Sequence, residues 1–316
     1  MPKSLFEAAK KRILLFDGAM GTEIQRLNPK PEDFPDGKDG FNDGLNLSRP
    51  EWIKQIHRGY LKAGADCIET NTFGSNKFKL AEYGYGNKTV EFNKRAAELA
   101  REVCNEFKEE DRPRYIIGSM GPTGYLPSSN DPALGEKPLD EIQEAFLLQA
   151  EGLILGGVDA LLIETSQDIL EVKLAIEACH MAMEKVSKKV PIIANVTLDR
   201  YGKMLLGTNV QAAYTAVSNM KIDTFGLNCS TGPHEMESSA RWLNEQDLPI
   251  LVMPNAGMPQ NEGGRAIYKM TPKEMTEALA DFVSKYHHIR MIGGCCGTNP
   301  QHIIELRKVL DVKNKK

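Results

Sequence analysis

The sequence has no long hydrophobic run and no excess of positive charge. Its apolar stretches all fall short of the roughly 20 residues that a membrane-spanning helix needs. Residues 1–5 lack the apolar core of a secretory signal. The net charge is -4, and the basic residues form no stripe, so neither a membrane nor a nucleic acid is expected as a partner. The composition instead indicates an ordinary globular protein.

Disulfide patterns and histidine pairs are missing as well. Six cysteines in 316 residues, without a secretory signal, indicate free thiols in a reducing cytoplasm. None of the six histidines has the spacing of a metal-binding pair, so we expect them at surface or helix-capping positions. The length allows either two domains or one barrel-sized domain.

Eight short apolar runs alternate with helical patterns along the chain. Each run is followed by a polar or glycine-rich loop, and such alternation is typical of parallel strands joined by helical crossovers. Eight repeats in this length favour a closed (β/α)8 barrel over an open sheet. We expect one barrel domain covering residues 1–316, with a short, frayed basic tail at 312–316. The predicted strands are residues 11–16, 66–69, 115–120, 159–163, 191–196, 224–227, 248–253 and 290–292.

Two polar loops are long enough to border the open end of such a barrel. They cover residues 28–44 and 127–137. After the first of them, Ser48 is expected to cap a helix that has Pro50 in its first turn.

Two adjacent cysteines, Cys295 and Cys296, lie between glycines at the end of the eighth run, and Cys229 ends the sixth. Adjacent cysteines rarely bridge each other, because the local geometry strains the disulfide. Three thiolates can form three corners of a zinc tetrahedron and leave one position open, as in catalytic zinc sites. The alternative is ordinary core packing, but the glycine-rich setting favours metal binding over packing. We expect core packing for the three other cysteines, Cys67, Cys104 and Cys179.

Seven short motifs occur in order along nearly the whole chain. They begin at Asp17 (DGAMGT), Glu69 (ETNTF), Gly121 (GPT), Glu164 (ET), Gly226 (GLNC), Pro254 (PNAG) and Gly293 (GGCCGT). In this order they resemble the zinc-dependent homocysteine methyltransferases, and most of all the homocysteine-binding module of cobalamin-dependent methionine synthases. The resemblance implies a zinc-containing barrel that transfers a methyl group to the sulfur of L-homocysteine and so forms L-methionine.

The resemblance also implies roles for single residues. Asp17 and Glu164, which we take to be the only acidic residues of these motifs directly at strand ends, would hold the substrate ammonium group. The amides of Gly18 and Ala19 are candidates for binding the substrate carboxylate. Asn255 would approach the metal when substrate is absent. Each assignment has a structural alternative, since carboxylates also cap loops and helices and asparagine shapes turns.

Three methyl donors fit the family: methylcobalamin, S-methylmethionine and betaine. By the same resemblance, S-methylmethionine enzymes carry an arginine where this chain has Gly297. Betaine enzymes carry tyrosines where it has Gly74 and Thr165. We therefore expect methylcobalamin as the donor.

The sequence has no Asp-x-His-x-x-Gly loop to hold a cobalamin, and it ends where a folate-binding module would begin. We therefore expect methylcobalamin to be carried by a cobalamin- or folate-binding partner chain. The alternatives that stay open are a stand-alone homocysteine methyltransferase that uses S-methylmethionine or betaine, a non-catalytic zinc barrel that senses thiols, and an acceptor other than homocysteine.

Overall fold

The computed structural model describes residues 4–107, 112–263 and 265–314, and its centre is a barrel of eight parallel strands. Neighbouring strands pair in the order β1-β10-β7-β6-β5-β4-β3-β2. A parallel bridge between Phe16 and Cys67 joins the two ends of this order, so the predicted (β/α)8 barrel is confirmed. The strands are β1 (Leu14–Leu15), β2 (Cys67–Glu69), β3 (Tyr115–Met120), β4 (Ala160–Ser166), β5 (Ile192–Val196), β6 (Thr224–Asn228), β7 (Ile250–Met253) and β10 (Ile289–Ile292); β8 (Gln260–Glu262) and β9 (Arg265–Ile267) form a separate antiparallel hairpin.

The longer helices pack around the barrel through an apolar face, as in α4 (Pro50–Ala63), where Ile53, Ile56, Tyr60 and Leu61 recur at helical spacing. No helix among the described residues is long and apolar enough to cross a membrane. The helices are α1 (Leu5–Lys11), α2 (Met20–Arg26), α3 (Leu45–Ser48), α4 (Pro50–Ala63), α5 (Lys77–Glu82), α6 (Thr89–Glu106), α7 (Pro132–Gly135), α8 (Leu139–Gly156), α9 (Ile169–Val186), α10 (Val210–Val217), α11 (Pro233–Leu243), α12 (Pro272–Lys285) and α13 (Pro300–Lys313).

The barrel interior is apolar below and polar at the end where the strands finish. One buried cluster takes alternate strand residues, such as Cys67, Ile117, Leu162 and Ile193, while their neighbours pack outward against the helices. Alternation along a strand then places the residues two positions further on inside the barrel as well. The polar residues of this upper interior layer are Glu69, Ser119, Glu164, Asn195 and Asn228.

The opposite end of the barrel is closed by α1. Leu5, Ala8 and Ala9 of this helix belong to the interior cluster, and the carbonyl oxygen of Ala9 accepts a hydrogen bond from Arg290 Nε at 2.6 Å. A capping box at Ser4 fixes the start of the helix. As far as the described residues show, the interior is therefore open at the end where the strands finish.

A fully buried carboxylate, Asp66, fastens the closed end of the barrel. It lies just before β2, and its oxygens accept hydrogen bonds from the amide of Leu15 at 2.9 Å and from several guanidinium groups. A buried carboxylate needs such partners to offset the loss of hydration. The arginines that pair with it are Arg12, Arg112, Arg114 and Arg307.

Several predicted details differ from the structure. The segment 28–44 contains three short 3₁₀ helices, and Phe41 within it stacks on Tyr83 at 4.2 Å between ring centroids. Ser48 does not cap α4; it ends the separate helix α3, and its hydroxyl donates to the carbonyl of Gly44. Pro50 occupies the first turn of α4 as predicted.

The C-terminal helix reaches into the segment predicted to be frayed. α13 runs through Lys313, and the side chain of Asn314 hydrogen-bonds the backbone amide and carbonyl of Ile13. The start of the predicted tail is therefore ordered, because the helix end is tied to the base of β1. Residues 315 and 316 lie outside the described part of the chain.

Candidate metal centre and substrate pocket

Three cysteine sulfurs meet at the open end of the barrel. Cys229 follows β6, and Cys295 and Cys296 follow β10, so the strand order brings them together over β7. The three Sγ atoms lie within 4.8 Å of one another, and all three cysteines are free thiols. The structure thus gathers the three residues that the sequence predicted as metal ligands. Cys67, Cys104 and Cys179 are buried elsewhere, as predicted.

The two loops that carry these cysteines are both held by the backbone at the end of β7. The amide of Cys229 donates to Met253 O at 3.1 Å, and the amide of Cys295 donates to Pro254 O at 2.8 Å. Cys229 and Ser230 both have φ near +60°, a left-handed conformation that favours glycine. A side chain in this strained conformation indicates that the thiol of Cys229 is needed where it lies.

The spacing of the sulfurs fits a tetrahedral zinc ion. Four ligands at about 2.3 Å from zinc lie about 3.8 Å apart, and Cys229 Sγ and Cys296 Sγ are 3.8 Å apart. Without a metal, the thiols share protons. Hydrogen bonds from Cys229 and Cys295 lower the pKa of Cys296 to about 3, while the hydrogen bonds made by Cys295 raise its own pKa. A divalent cation would replace these protons and allow three thiolates together.

A tyrosine from the hairpin loop covers one side of the thiol centre. Tyr268 follows β9 and packs against Gly297, the residue after the paired cysteines. A Cβ atom on Gly297 would lie 2.3 Å from the Cβ atom of Tyr268, and Gly297 has φ +80°. Burial and the charge of Cys296 raise the pKa of Tyr268, which keeps its hydroxyl proton available to a cysteine sulfur.

Beside the thiols, Glu164 is held at the end of β4 by two neighbours. Its Oε1 accepts a hydrogen bond from Ser119 Oγ, and its Oε2 accepts one from Asn228 Nδ2 at 3.1 Å. The same Asn228 nitrogen lies 4.0 Å from Cys295 Sγ, so this side chain connects the carboxylate to the thiol centre. Burial raises the pKa of Glu164 to about 7, against the opposing effect of the Ser119 hydrogen bond.

Asp17 lies just beyond β1 and is almost completely buried. Its Oδ2 accepts a hydrogen bond from the amide of Glu69 at 3.0 Å, whereas its Oδ1 has no hydrogen-bond partner. Burial raises the pKa of Asp17, and the nearby charge of Glu164 raises it further. Asp17 and Glu164 therefore lie in one electrostatically coupled cluster, as expected for two groups that share a ligand.

Two residues of this pocket were missed in the sequence. Glu69 is the last residue of β2. The expectation that Asp17 and Glu164 are the only acidic motif residues at strand ends is therefore wrong. Its position at the end of a predicted strand was the signal that could have identified it. Asn195, inside β5, is fully buried and neither polar atom of its side chain has a partner. An asparagine in an otherwise apolar strand was the signal there.

The remaining predicted site residues lie around the same opening. Asn255 follows β7, is buried, and its Oδ1 has no hydrogen-bond partner. The amide of Ala19 already donates to Thr298 Oγ1 at 3.2 Å, so it is not free to bind a substrate carboxylate in this conformation. A Cβ atom on Gly18 would lie 2.6 Å from the same Thr298 oxygen, so this close approach requires glycine.

Two histidines differ from the prediction that all six lie at the surface or at helix caps. His57 on α4 is fully buried, and neither ring nitrogen has a hydrogen-bond partner. His302 on α13 is also buried, and its Nε2 lies 3.3 Å from Met270 O. Both lie on the inner faces of their helices, where they pack as part of the core.

Comparison with known proteins agrees with this architecture. The methionine synthase of Mycobacterium tuberculosis is 41% identical over 303 residues, which are 96% of this chain and 25% of that protein. That of Mycobacterium leprae is 40% identical, over 96% of this chain and 24% of its own length. This chain thus spans about a quarter of the curated relatives that it matches.

Among solved structures, the metallated form of the homocysteine methyltransferase MmuM from Escherichia coli superposes with a TM-score of 0.74. The alignment covers 96% of this chain and 98% of that one at 22% identity, which shows a shared fold. A family model described as homocysteine S-methyltransferase matches residues 14–310. The chain therefore belongs to the homocysteine S-methyltransferase family.

Proposed function

We propose that this chain transfers a methyl group to the thiol of L-homocysteine and releases L-methionine. The observation that carries the proposal is the meeting of three free cysteine sulfurs at the open end of the barrel, beside a cluster of buried carboxyl groups. Sulfur ligands suit a metal that binds a thiol, and buried carboxylates suit an ammonium group. Homocysteine carries both groups, with three carbon atoms between its sulfur and its ammonium nitrogen.

The residues present fit one zinc ion, with Cys229, Cys295 and Cys296 as its ligands. When bound, zinc supplies a Lewis acid that lowers the pKa of a fourth, thiol ligand. The three cysteine thiolates would give the centre a net negative charge, which limits the loss of electron density from the substrate sulfur. Asn228 lies beside Cys295 and would help to fix the orientation of that ligand.

The buried carboxyl groups would orient the other end of the substrate. Asp17 and Glu164 are proposed to accept hydrogen bonds from its ammonium group, while Ser119 and Asn228 hold Glu164 in place. Gly18 and Asn255 are proposed to complete the pocket, and Ala19 would join it only if its hydrogen bond to Thr298 opens. A substrate held at both ends presents its sulfur toward the open end of the barrel.

Methyl transfer to this sulfur is an in-line displacement. The thiol proton is lost to solvent, the sulfur forms a bond to the methyl carbon, and the bond from that carbon to the donor breaks. The electron pair of the broken bond stays on the donor. Since the protein then has no further bond to make, positioning should supply much of the rate enhancement.

The site argues against betaine and S-methylmethionine as donors. A side chain at position 74 would meet Asp43, because a Cβ atom on Gly74 would lie 2.9 Å from Asp43 Oδ2. Gly297 is covered by Tyr268 in the same way. A tyrosine at position 74 or an arginine at position 297 would therefore displace these neighbours, and the other tyrosine position carries Thr165. We propose methylcobalamin as the donor.

We further propose that methylcobalamin is presented by a cobalamin- or folate-binding partner chain, since the barrel positions described above account for the acceptor alone. The whole chain would act as one barrel domain, and the reaction would take place in the cytoplasm, where free thiols persist. Neither nucleic acid nor a membrane takes part in this proposal.

An assay of methionine formation tests the function and the donor together. Zinc-loaded protein is incubated with L-homocysteine and either methylcobalamin, S-methylmethionine or betaine, at equal zinc occupancy. We expect turnover with methylcobalamin and little with the other two. Turnover with S-methylmethionine alone would overturn the donor assignment, and no methionine from any donor would favour a barrel that binds thiols without catalysis.

A further inference from the structure

Two carboxylate oxygens in the upper barrel are buried without a hydrogen-bond partner, Asp17 Oδ1 and Glu69 Oε1. The neighbouring carboxyl group of Glu164 differs, because its two oxygens accept hydrogen bonds from Ser119 and Asn228. In the described residues no lysine, arginine or histidine forms an ion pair with any of the three, in contrast to Asp66 at the closed end. A buried carboxylate without a cation is costly, so this cluster has the character of a binding site for one.

The backbone places Glu69 directly beside Asp17. Cys67 belongs to the interior cluster and Ile68 to the outer one, so alternation turns the Glu69 side chain into the barrel. The Glu69 amide donates to Asp17 Oδ2 at 3.0 Å, which leaves Asp17 Oδ1 for another donor. Burial raises the pKa of Glu69, and the charges of Glu164 and Asp17 raise it further, so these groups act on one another.

An ammonium group has three N–H donors and one positive charge, and it therefore matches a pocket with several carboxylate oxygens. We infer that Glu69 is the third carboxyl group of the ammonium pocket and makes the site prefer an amino-acid thiol over the same thiol without its amino group. This inference rests on the proposed function. It adds a specificity-determining residue that neither the motifs nor the roles implied by the resemblance had assigned.

The test compares two ligands that differ only in the amino group, L-homocysteine and 4-mercaptobutyrate. Calorimetry measures their affinities for zinc-loaded wild type, for Glu69→Gln and for a control, Glu102→Gln, whose side chain is exposed on α6. Glu69→Gln should weaken homocysteine binding by roughly ten-fold or more. It should change 4-mercaptobutyrate binding less than about two-fold, and the control should match the wild type with both ligands.

Zinc content and circular dichroism show whether Glu69→Gln is folded, and Glu69→Asp replaces it if it is not. The aspartate keeps the charge, but its shorter side chain places the carboxylate farther from the ammonium group. It should therefore also reduce the preference for homocysteine. Unchanged discrimination in both variants would overturn the role of Glu69 and leave the proposed function standing. A wild type that binds neither thiol would instead overturn the proposed function itself. Equal wild-type affinity for the two thiols would overturn recognition of the amino group.

Discussion

The burial of His57 predicts how the free energy of unfolding depends on pH. The imidazole is fully enclosed on the inner face of α4, and both of its nitrogens lack partners. Burial lowers its pKa from 6.5 to about 4. Because the unfolded chain keeps the ordinary pKa, the two states differ in bound protons only below about pH 6.5.

The sign follows from which state takes up the proton. Above pH 6.5 the imidazole is neutral in both states and has no effect. As the pH falls, the unfolded state binds a proton that the folded state does not bind. The free energy of unfolding therefore decreases by about 1.36 kcal/mol per pH unit. At pH 5 the loss is about 2 kcal/mol, and it approaches its limit of about 3.4 kcal/mol below pH 4, where the folded state is protonated too.

Replacing His57 should remove this loss. We expect the decrease in the free energy of unfolding between pH 7.5 and pH 5 to be about 2 kcal/mol smaller in His57→Leu than in wild type. Urea unfolding followed by circular dichroism measures it, with a chelator present at both pH values so that metal loss does not contribute. The packing cost of the substitution does not vary with pH and cancels in the difference.

His57→Gln is the matched control, since it differs from leucine in polarity but titrates no more than leucine does. Both variants should show the same reduced pH dependence, whatever their stability at pH 7.5. If wild type and variants lose stability in parallel between the two pH values, the buried imidazole is not the group responsible.

Three further predictions concern the two ends of the barrel. Cys229→Ala should lose stoichiometric zinc while Cys104→Ala retains it; full zinc in Cys229→Ala by metal analysis would remove that ligand. Glu164→Gln should weaken homocysteine binding by about 1.5–3 kcal/mol in calorimetry with zinc still bound, since it removes a charged hydrogen bond; unchanged affinity would exclude Glu164 from the pocket. Asp66→Asn should lower the free energy of unfolding by about 3–5 kcal/mol, because it removes the buried carboxylate charge that pairs with Arg12, Arg112, Arg114 and Arg307; an unchanged urea midpoint would contradict this account.

The barrel could be predicted because its outer layer obeys simple periodicity. The third strand has the predicted bounds, residues 115–120, since an unbroken buried run is bounded by polar loops. The first strand is only two residues long, although residues 11–16 were predicted. Its limits are set by pairing with β10 and by the turn that follows α1, and neither is visible in the local sequence.

Interior polar residues were harder to predict for a physical reason. Both faces of a parallel strand are buried, so alternation does not distinguish the lumen from the helix layer. Asn195 and Glu69 therefore read as ordinary strand or loop residues until the register is known. His57 was misjudged likewise, because a lone histidine on an apolar helix face looks the same whether the face is buried completely or at its edge.

The motif cysteines could be identified because their signal, adjacent thiols between glycines, lies within a few residues of the sequence. Their meeting depended on the strand order, which the barrel itself predicts. The loop 28–44 was expected to be irregular from its polar composition, but Phe41 folds it back onto α6 and the preceding segment through contacts with Tyr83 and Phe92. Phe34 in the same stretch is buried as well, so two aromatic residues anchor this otherwise polar segment.

The closure of one end by α1 has a consequence for how a substrate would enter the barrel and a product would leave it. In the described part of the chain the barrel opens at one end, because Leu5 and Ala8 fill the interior at the other. In the proposed reaction, homocysteine would enter and methionine would leave through the same opening that the methyl donor approaches. If that donor is a corrinoid on a partner chain, it covers the opening during transfer, and methionine can leave only after the partner withdraws. A large excess of the partner should then slow turnover by trapping the product.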